Sequence, residues 1–281
     1  MPANYPDYLN VPAARLGEGT GVRVRLLDDA SIAQAMADDM FEALRAALDS
    51  GRAPVVIIPV GPVDQFPVLA EKIAAAELDC RSAVFINMDE YLDDSDHWLD
   101  ATHPLSFRGY MRRAFYDLLP ANLAPRSDNR VFPDPQRPEA IGELIAAGGG
   151  VDVCYGGIGI NGHLAFNEPP EPGETVSREQ FADLPTRVLS LARETRTINS
   201  VTVGGEISVV PRRAVTIGMR EILAARSIRL YCNRPWQAAV VRRVLHGPIT
   251  SACPASLVRG HADARLTAAR QVAEVPDIRL R

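Results

Sequence analysis

The sequence is short of the features that mark secreted, membrane-bound or disulfide-stabilised proteins. Its four cysteines are widely spaced and form no Cys-x-x-Cys pair, so we expect them to be reduced residues of the core. No apolar run approaches the roughly 18 residues that a membrane span needs. The first residues lack the basic and apolar regions of a signal peptide. We therefore expect a cytoplasmic protein with no membrane partner.

An excess of positive charge is also missing. The chain has 30 basic and 35 acidic side chains and a formal net charge of −5, which gives no electrostatic reason to expect nucleic acid as a partner. A small molecule is favoured instead. The acidic run at residues 93–97 (DDSDH) has the spacing of neither a calcium loop nor a zinc set, so we predict an exposed loop without a metal. Arg242 and Arg243 are predicted to lie on a solvated helix face.

The pattern of apolar residues predicts an α/β fold. Residues 53–60 (APVVIIPV) and 82–88 (SAVFINM) are near-continuous apolar runs, typical of parallel strands covered on both faces. Strands that alternate with helices predict a three-layer, Rossmann-like, mostly parallel sheet flanked by helices. A chain of 281 residues with 47% hydrophobic content is expected to form one domain at residues 21–281, preceded by an N-terminal arm at residues 1–20.

Further elements follow from the same patterns. Strands are also predicted at residues 22–27, 151–155, 187–191, 214–218 and 228–232, and helices at residues 32–48, 68–76, 104–119, 139–147 and 236–245. The polar, proline-rich and acidic interval at residues 162–185 is predicted to be a mobile lid or a surface excursion.

Three predicted loops are candidates for a ligand site, because ligands of open parallel sheets bind outside the carboxyl ends of the strands. These loops are residues 61–64 (GPVD), 89–92 (DEYL) and 156–169 (GGIGINGHLAFNEP). Glycines in the third loop allow the backbone to approach a ligand closely. They match a dinucleotide fingerprint only weakly, since no helical pattern follows them directly.

Two acidic residues and one histidine in these loops suit proton transfer. Asp89 follows an apolar strand, where partial desolvation raises the pKa of a carboxyl group and makes it a better base. A carboxylate such as that of Glu168, five residues after His163, can hold the imidazole in one tautomer and raise its basicity. Each residue alone is more often structural, but their setting favours a catalytic interpretation.

Residues 85–91 (FINMDEY) and 159–169 (GINGHLAFNEP) resemble the two signature segments of the glucosamine-6-phosphate deaminase family. Supporting similarities lie at residues 103–107 (HPLSF), 194–200 (ETRTINS) and 214–219 (AVTIGM), so the resemblance extends from Leu27 to His261. The related 6-phosphogluconolactonases share the fold and the Gly-His loop but lack the Met-Asp-Glu-Tyr and Ala-Phe-Asn-Glu-Pro segments. The resemblance therefore favours the deaminase branch of this superfamily.

The resemblance implies an enzyme that opens, isomerises and deaminates glucosamine 6-phosphate, or a related sugar, without a cofactor. Asp89 would move a proton from C2 to C1, His163 would assist ring opening, and Glu168 would orient His163. Substrate contacts are expected at two groups of residues, Gly61, Glu90, Gly157, Gly159 and Gly162, and Arg196, Arg234 and Gln237. Relatives include hexamers and monomers, so the resemblance allows a homo-oligomer as well as a monomer.

The chain departs from the family pattern at the catalytic loop and at the phosphate site. Asn161 stands where the family has an aspartate before Gly-His, and an amide cannot stabilise an imidazolium by charge. The phosphate loop has Pro62, Val63 and Asp64 instead of glycine and hydroxyl residues. Gln237 aligns with a phosphate-binding lysine. We expect a retained catalytic centre and a rebuilt anion site, with Arg196 matching one phosphate-binding arginine and Arg234 able to substitute for the lysine.

Two alternatives stay open at this point. One is a sugar-lactone hydrolase on the same fold, in which His163 activates water. The other is a catalytically weak sugar-binding or regulatory protein, in which Asn161 and the altered anion loop have cost activity. Release of ammonia from an amino sugar phosphate separates the deaminase from both, and fold alone cannot decide.

Overall fold

The computed structural model describes residues 6–61 and 64–277. The strands are β1 (Arg23–Leu27), β2 (Val55–Ile58), β3 (Val84–Asn87), β4 (Asp89–Leu92), β5 (Arg130–Val131), β6 (Val153–Gly156), β7 (Arg187–Ser190), β8 (Arg213–Thr216), β9 (Ser227–Cys232) and β10 (Ala264–Ala269). The α-helices are α1 (Ile32–Asp49), α2 (Gln65–Ala75), α3 (Phe107–Ala114), α4 (Ala140–Ala147), α5 (Arg178–Ala182), α6 (Arg193–Asn199), α7 (Met219–Leu223) and α8 (Gln237–His246). Short 3-10 turns connect several of these elements.

The central sheet has seven strands in the order β1, β10, β9, β6, β2, β3, β5, and every neighbouring pair is parallel. All four residues of β2 are buried, as the apolar run predicted, because layers of the fold cover this strand on both faces. The expected α/β fold with a mostly parallel sheet flanked by helices is confirmed. From β2 the sheet continues to one side through β3 and β5, and from β6 it continues to the other side through β9 and β10. The connections therefore lead in opposite directions on either side of the β2–β6 pair, which creates a crevice at the carboxyl ends of these two strands.

A second, three-stranded sheet in the order β4, β8, β7 lies beside the first, and both of its pairs are antiparallel. The prediction of a loop at residues 89–92 is therefore wrong. Asp89 pairs with Thr216 and Leu92 with Arg213, so these residues gain a strand partner from a distant part of the chain. A small apolar cluster that includes Tyr91, Phe166, Leu191, Val210 and Ala214 packs around this sheet.

The N-terminal segment packs against helix α8 through a buried arginine. The Arg242 side chain is fully buried, and its guanidinium donates to the carbonyl oxygens of Val11, Ala238 and Ala273, among others. The prediction of a solvated Arg242 is wrong, because backbone carbonyls from three segments replace its water. Arg243 is half-buried, and its guanidinium donates to the carbonyl oxygen of Ala252, so it is less solvated than predicted.

All four cysteines are buried and unpaired. Within residues 6–61 and 64–277, no helix has both the length and the apolar character required to cross a membrane.

Candidate active site

A cavity of about 450 Å³ lies at the carboxyl ends of β2, β3, β6 and β9, next to the antiparallel sheet. Asp89 and His163 both line it, although they are distant in sequence. Of the residues expected to contact substrate, the cavity walls include Gly61, Gly157, Gly159, Arg234 and Gln237. Asn161, Gly162 and Glu168 lie behind His163, while Glu90 and Arg196 are not among the lining residues.

Asp89 occupies the first position of β4, and one residue, Met88, separates it from the end of β3. Asp89 is buried, with 7% of its surface exposed to solvent. Burial, with a smaller contribution from the neighbouring Glu90, raises the pKa of the Asp89 carboxyl to about 8, because both effects disfavour the charged form. This pKa suits a carboxyl group that exchanges a proton near neutral pH.

The His163 ring is held from its Nδ1 side. Nδ1 lies 3.3 Å from Glu168 Oε2 and 3.2 Å from Thr195 Oγ1. Asn161 Nδ2 donates to the same Glu168 oxygen at 2.7 Å, and the Asn161 side-chain oxygen accepts from the His163 backbone N–H. The second Glu168 oxygen accepts from the backbone N–H of Ala192. These bonds occupy Nδ1 and leave Nε2 of His163 without a hydrogen bond to any residue that the structure describes.

The Glu168 carboxylate keeps its charge despite partial burial. Burial alone would raise its pKa, but the hydrogen bond and charge of His163, with bonds from Asn161 and Thr195, lower the pKa below its ordinary value. Sequence reasoning did not single out Thr195, which is fully buried. The available signal was its position inside the segment 194–200, one of the regions of family resemblance.

The glycines of this loop are required by the packing of the histidine. A Cβ atom on Gly159 would lie 2.0 Å from His163 Nε2, so the ring rests directly on this glycine. Gly162 has a φ of +95°, and its Cβ would lie 2.7 Å from Cys253 Sγ. Ala165, another cavity residue, adopts a φ of +53°, which is uncommon for a residue with a side chain.

No protein-family model matches the chain. A glucosamine-6-phosphate deaminase of Streptomyces avermitilis is 32% identical over 217 residues, which cover 75% of this chain and 78% of the relative. The chain belongs to the glucosamine-6-phosphate deaminase family.

Solved structures agree on the fold of this deaminase family member. A monomeric glucosamine-6-phosphate deaminase superposes with a TM-score of 0.76 at 24% identity, covering 91% of this chain and 100% of that one. A 6-phosphogluconolactonase from Thermotoga maritima superposes with a TM-score of 0.65 at 14% identity, covering 88% and 99%. At these identities the two structures support the shared fold alone.

Two residues expected to bind substrate in this deaminase homologue make other contacts. The fully buried Glu90 carboxylate accepts hydrogen bonds from the Ser106 hydroxyl and from the backbone N–H groups of Phe107 and Arg108. Glu90 therefore anchors the N-terminus of α3, because a negative charge is favourable there. Arg196 donates to the carbonyl oxygens in the segment 207–210. Neither side chain reaches the cavity wall.

The cavity rim consists of its exposed lining residues, Gly61, Pro104, Thr202 and Arg234. The Arg234 guanidinium has no hydrogen bond or ion pair with any residue that the structure describes. Gln237 is engaged at both ends, since its amide donates to the Ile158 carbonyl and accepts from the Arg234 backbone N–H. Pro62 and Val63, predicted to weaken the anion loop, lie outside the described residues.

A group of aromatic side chains lines the cavity on the side of the antiparallel sheet. The ring of Tyr91 lies 4.7 Å from that of Phe107 and 5.5 Å from that of Phe166, measured between centroids. All three line the cavity, and the Tyr91 hydroxyl accepts a hydrogen bond from Asn199. Such faces suit the C–H surface of a sugar and help to exclude water from Asp89.

Proposed function

We propose that this protein is an isomerising deaminase that converts glucosamine 6-phosphate, or a related 2-amino sugar, into a ketose and ammonia. One observation carries the proposal. A carboxyl group with a pKa near neutral and an imidazole held by a carboxylate face the same sugar-sized cavity. Family membership supports the same reaction.

The first step is ring opening at His163. Nε2 accepts the proton of the anomeric hydroxyl and returns a proton to the ring oxygen, which yields the open-chain aldose. The imidazolium formed in between is stabilised by the Glu168 carboxylate at Nδ1. The neutral Asn161 amide adds no charge, but it holds Glu168 in place through its 2.7 Å hydrogen bond. Thus one carboxylate, rather than two, supports the histidine.

The second step is proton transfer by Asp89. Its carboxylate removes the proton from C2 and delivers it to C1, while the C1 carbonyl oxygen gains a proton and the amine nitrogen loses one, so that the double bond moves to C2 and the nitrogen. Water then adds to C2, and the C2–N bond breaks to release ammonia and the ketose. One water is consumed for each ammonia released, and the sequence of steps needs no oxidant or reductant.

Measurement of ammonia and ketose formation tests the proposal. We expect both products, in equal amounts, from at least one member of a panel of 2-amino hexoses with and without a 6-phosphate, and a strongly reduced yield of both from the Asp89→Asn variant. Hydrolysis of 6-phosphogluconolactone without ammonia release from any amino sugar would favour a lactonase instead. Binding without turnover of any sugar would favour the sugar-binding protein.

A further inference from the structure

The described residues that line the cavity provide few positive charges for a phosphate group. A phosphate monoester carries a charge of about −1.5 to −2 at pH 7. Among the described lining residues, the side chains that can carry a charge near pH 7 are Asp89, His163 and Arg234. Asp89 and His163 belong to the proton-transfer centre, so Arg234 alone is left as a cation. Arg234 is exposed to solvent, where salt and water weaken its attraction for an anion.

Among the residues that the structure describes, neither Arg196 nor Gln237 supplies a second free cation from the neighbouring helices. Arg196 uses its guanidinium to bond the carbonyl oxygens of Val210 and Ile207, at 3.2 and 2.9 Å. Gln237 is neutral, and both ends of its amide are bonded within the protein. Rearrangement of either side chain to meet a phosphate would break these bonds and leave buried partners unsatisfied.

Asp64 adds a negative charge next to the same region. It immediately precedes α2, whose N-terminus is a position that favours an anion. Burial, and then the charge of Asp64, raise the pKa of the hydroxyl of Tyr110, a cavity-lining residue, to about 12. Pro67, in the first turn of α2, has no N–H to donate. A protein carboxylate therefore precedes the helix end at which an anion would otherwise find donors.

The N-terminus of α8 is also occupied by the protein. Its first two N–H groups, those of Gln237 and Ala238, donate to the carbonyl oxygens of Arg234 and Pro235 at 2.9 and 3.1 Å. These two N–H groups are therefore already hydrogen-bonded within a local turn. The helix end consequently offers less to an external anion than a free N-terminus would.

From these observations we propose that the natural substrate is a 2-amino sugar without a phosphate, whose terminal hydroxymethyl group lies at the cavity rim. The proposal rests on the proposed deaminase function and narrows its substrate class. The remaining lining is compatible with an uncharged sugar, since Leu105, Phe107 and Tyr110 provide apolar and aromatic surface and Asn233 and Arg234 provide hydrogen-bond donors.

The test compares kcat/KM for glucosamine, galactosamine and mannosamine with kcat/KM for their 6-phosphates. We expect the best unphosphorylated sugar to exceed its own 6-phosphate at least tenfold. The Asp64→Ser variant is expected to narrow that gap threefold or more by improving the phosphorylated substrate, while Asp94→Ser, which removes an equal charge from an exposed loop, leaves the gap unchanged. A higher kcat/KM for any 6-phosphate than for its parent sugar would overturn the proposal.

A binding measurement keeps the substrate class separate from the reaction. Titration calorimetry of glucosamine and glucosamine 6-phosphate against the Asp89→Asn variant reads the preference of the rim without turnover. Tighter binding of glucosamine supports the proposal, and equal or tighter binding of the 6-phosphate overturns it. Absence of ammonia from every sugar refutes the deaminase function, and the calorimetry then still decides whether the rim accepts a phosphate.

Discussion

The two sides of the cavity are built in different ways. On the buried side, the polar groups around His163 hold one another through Glu168, Thr195 and Asn161. At the rim, the exposed Arg234 guanidinium has no partner among the residues described. Proton transfer needs atoms held within fractions of an ångström, whereas recognition of an exposed sugar terminus tolerates looser contacts. The contrast indicates that hydrogen bonds hold the proposed proton-transfer groups of this family member in place, whereas its choice of substrate depends on a few exposed rim residues.

The largest expected effect comes from Asp89→Asn. Loss of the base should lower kcat by about 10³-fold or more, measured by ammonia release. The same change should raise Tm at pH 9. The carboxyl has a folded-state pKa of about 8 against an ordinary value of about 3.9, so its contribution to stability is fully present below pH 4 and is lost as pH rises through 8. An amide avoids that loss.

The matched control for this variant is Asp94→Asn, which changes an exposed carboxyl on the loop after β4. It should leave kcat and the pH dependence of Tm unchanged. Wild-type kcat in Asp89→Asn would show that Asp89 is not the base. If both variants differ from the wild type by the same Tm at pH 9, ionisation of the buried Asp89 carboxyl does not lower the stability of the protein.

The next largest effect is expected from Gly159→Ala. The added methyl group would lie 2.0 Å from His163 Nε2, so the ring must rotate or the loop must shift, and we expect kcat to fall by about 10²-fold. Gly260→Ala is the control, since a Cβ there meets no atom within 4 Å. Retained activity in Gly159→Ala would mean that the histidine position is less constrained than the contacts indicate.

Removal of a single support of the histidine should have an intermediate effect. Glu168→Gln removes the charge beside Nδ1 and is expected to lower kcat by about 10- to 100-fold, with little change in KM. Thr195→Val should lower kcat less, and Thr195→Ser should restore it because the hydroxyl is kept. Equal losses for the valine and serine variants would indicate a packing role for Thr195, and the steady-state kinetics of the three variants distinguish these cases.

The pH profile is expected to follow Asp89. Because the base must be deprotonated, kcat/KM should rise about tenfold between pH 7 and pH 9 and level off above the pKa of about 8. The profile is measured with buffers of constant ionic strength. A profile that is flat from pH 7 to pH 9 would contradict the assignment of Asp89 as the base in free enzyme.

The smallest effect is expected at the rim. Arg234→Ala should change KM for an unphosphorylated amino sugar by less than about threefold and leave kcat unchanged, since an exposed side chain contributes little to binding of a neutral group. Kinetics at low and high salt provide the measurement. A loss of kcat in this variant would mean that the rim takes part in the chemistry, and the contrast between the two sides would not hold.

The main sheet was predictable because its strands carry local signals. The apolar runs before and within β2, β3 and β6 indicated buried parallel strands, and the structure has them within a few residues of the predicted bounds. Strand β10 was missed because its segment (ARLTAA) lacks a dense β-branched pattern. Strand β4 was missed because its first two residues are acidic, and its partner β8 lies more than a hundred residues away.

Much of the site was also within reach of sequence reasoning, since two short motifs carry Asp89, Asn161, His163 and Glu168. Other roles depend on contacts between distant segments. Arg242 could be interpreted as surface from its helix pattern, but carbonyl oxygens of the N- and C-terminal segments surround it. The role of Thr195 also depends on such a contact, because its hydroxyl meets His163, a residue 32 positions earlier in the sequence.

Asp89 and Glu90 show where local information ends. The order of residues was enough to place two adjacent carboxyl groups at the end of an apolar strand, and to indicate proton chemistry there. Which carboxyl faces the substrate depends on the pairing of β4 with β8, because successive side chains of a strand point to opposite faces. That register directs Asp89 into the cavity and Glu90 towards the N-terminus of α3, and it arises from long-range contacts that no short segment contains.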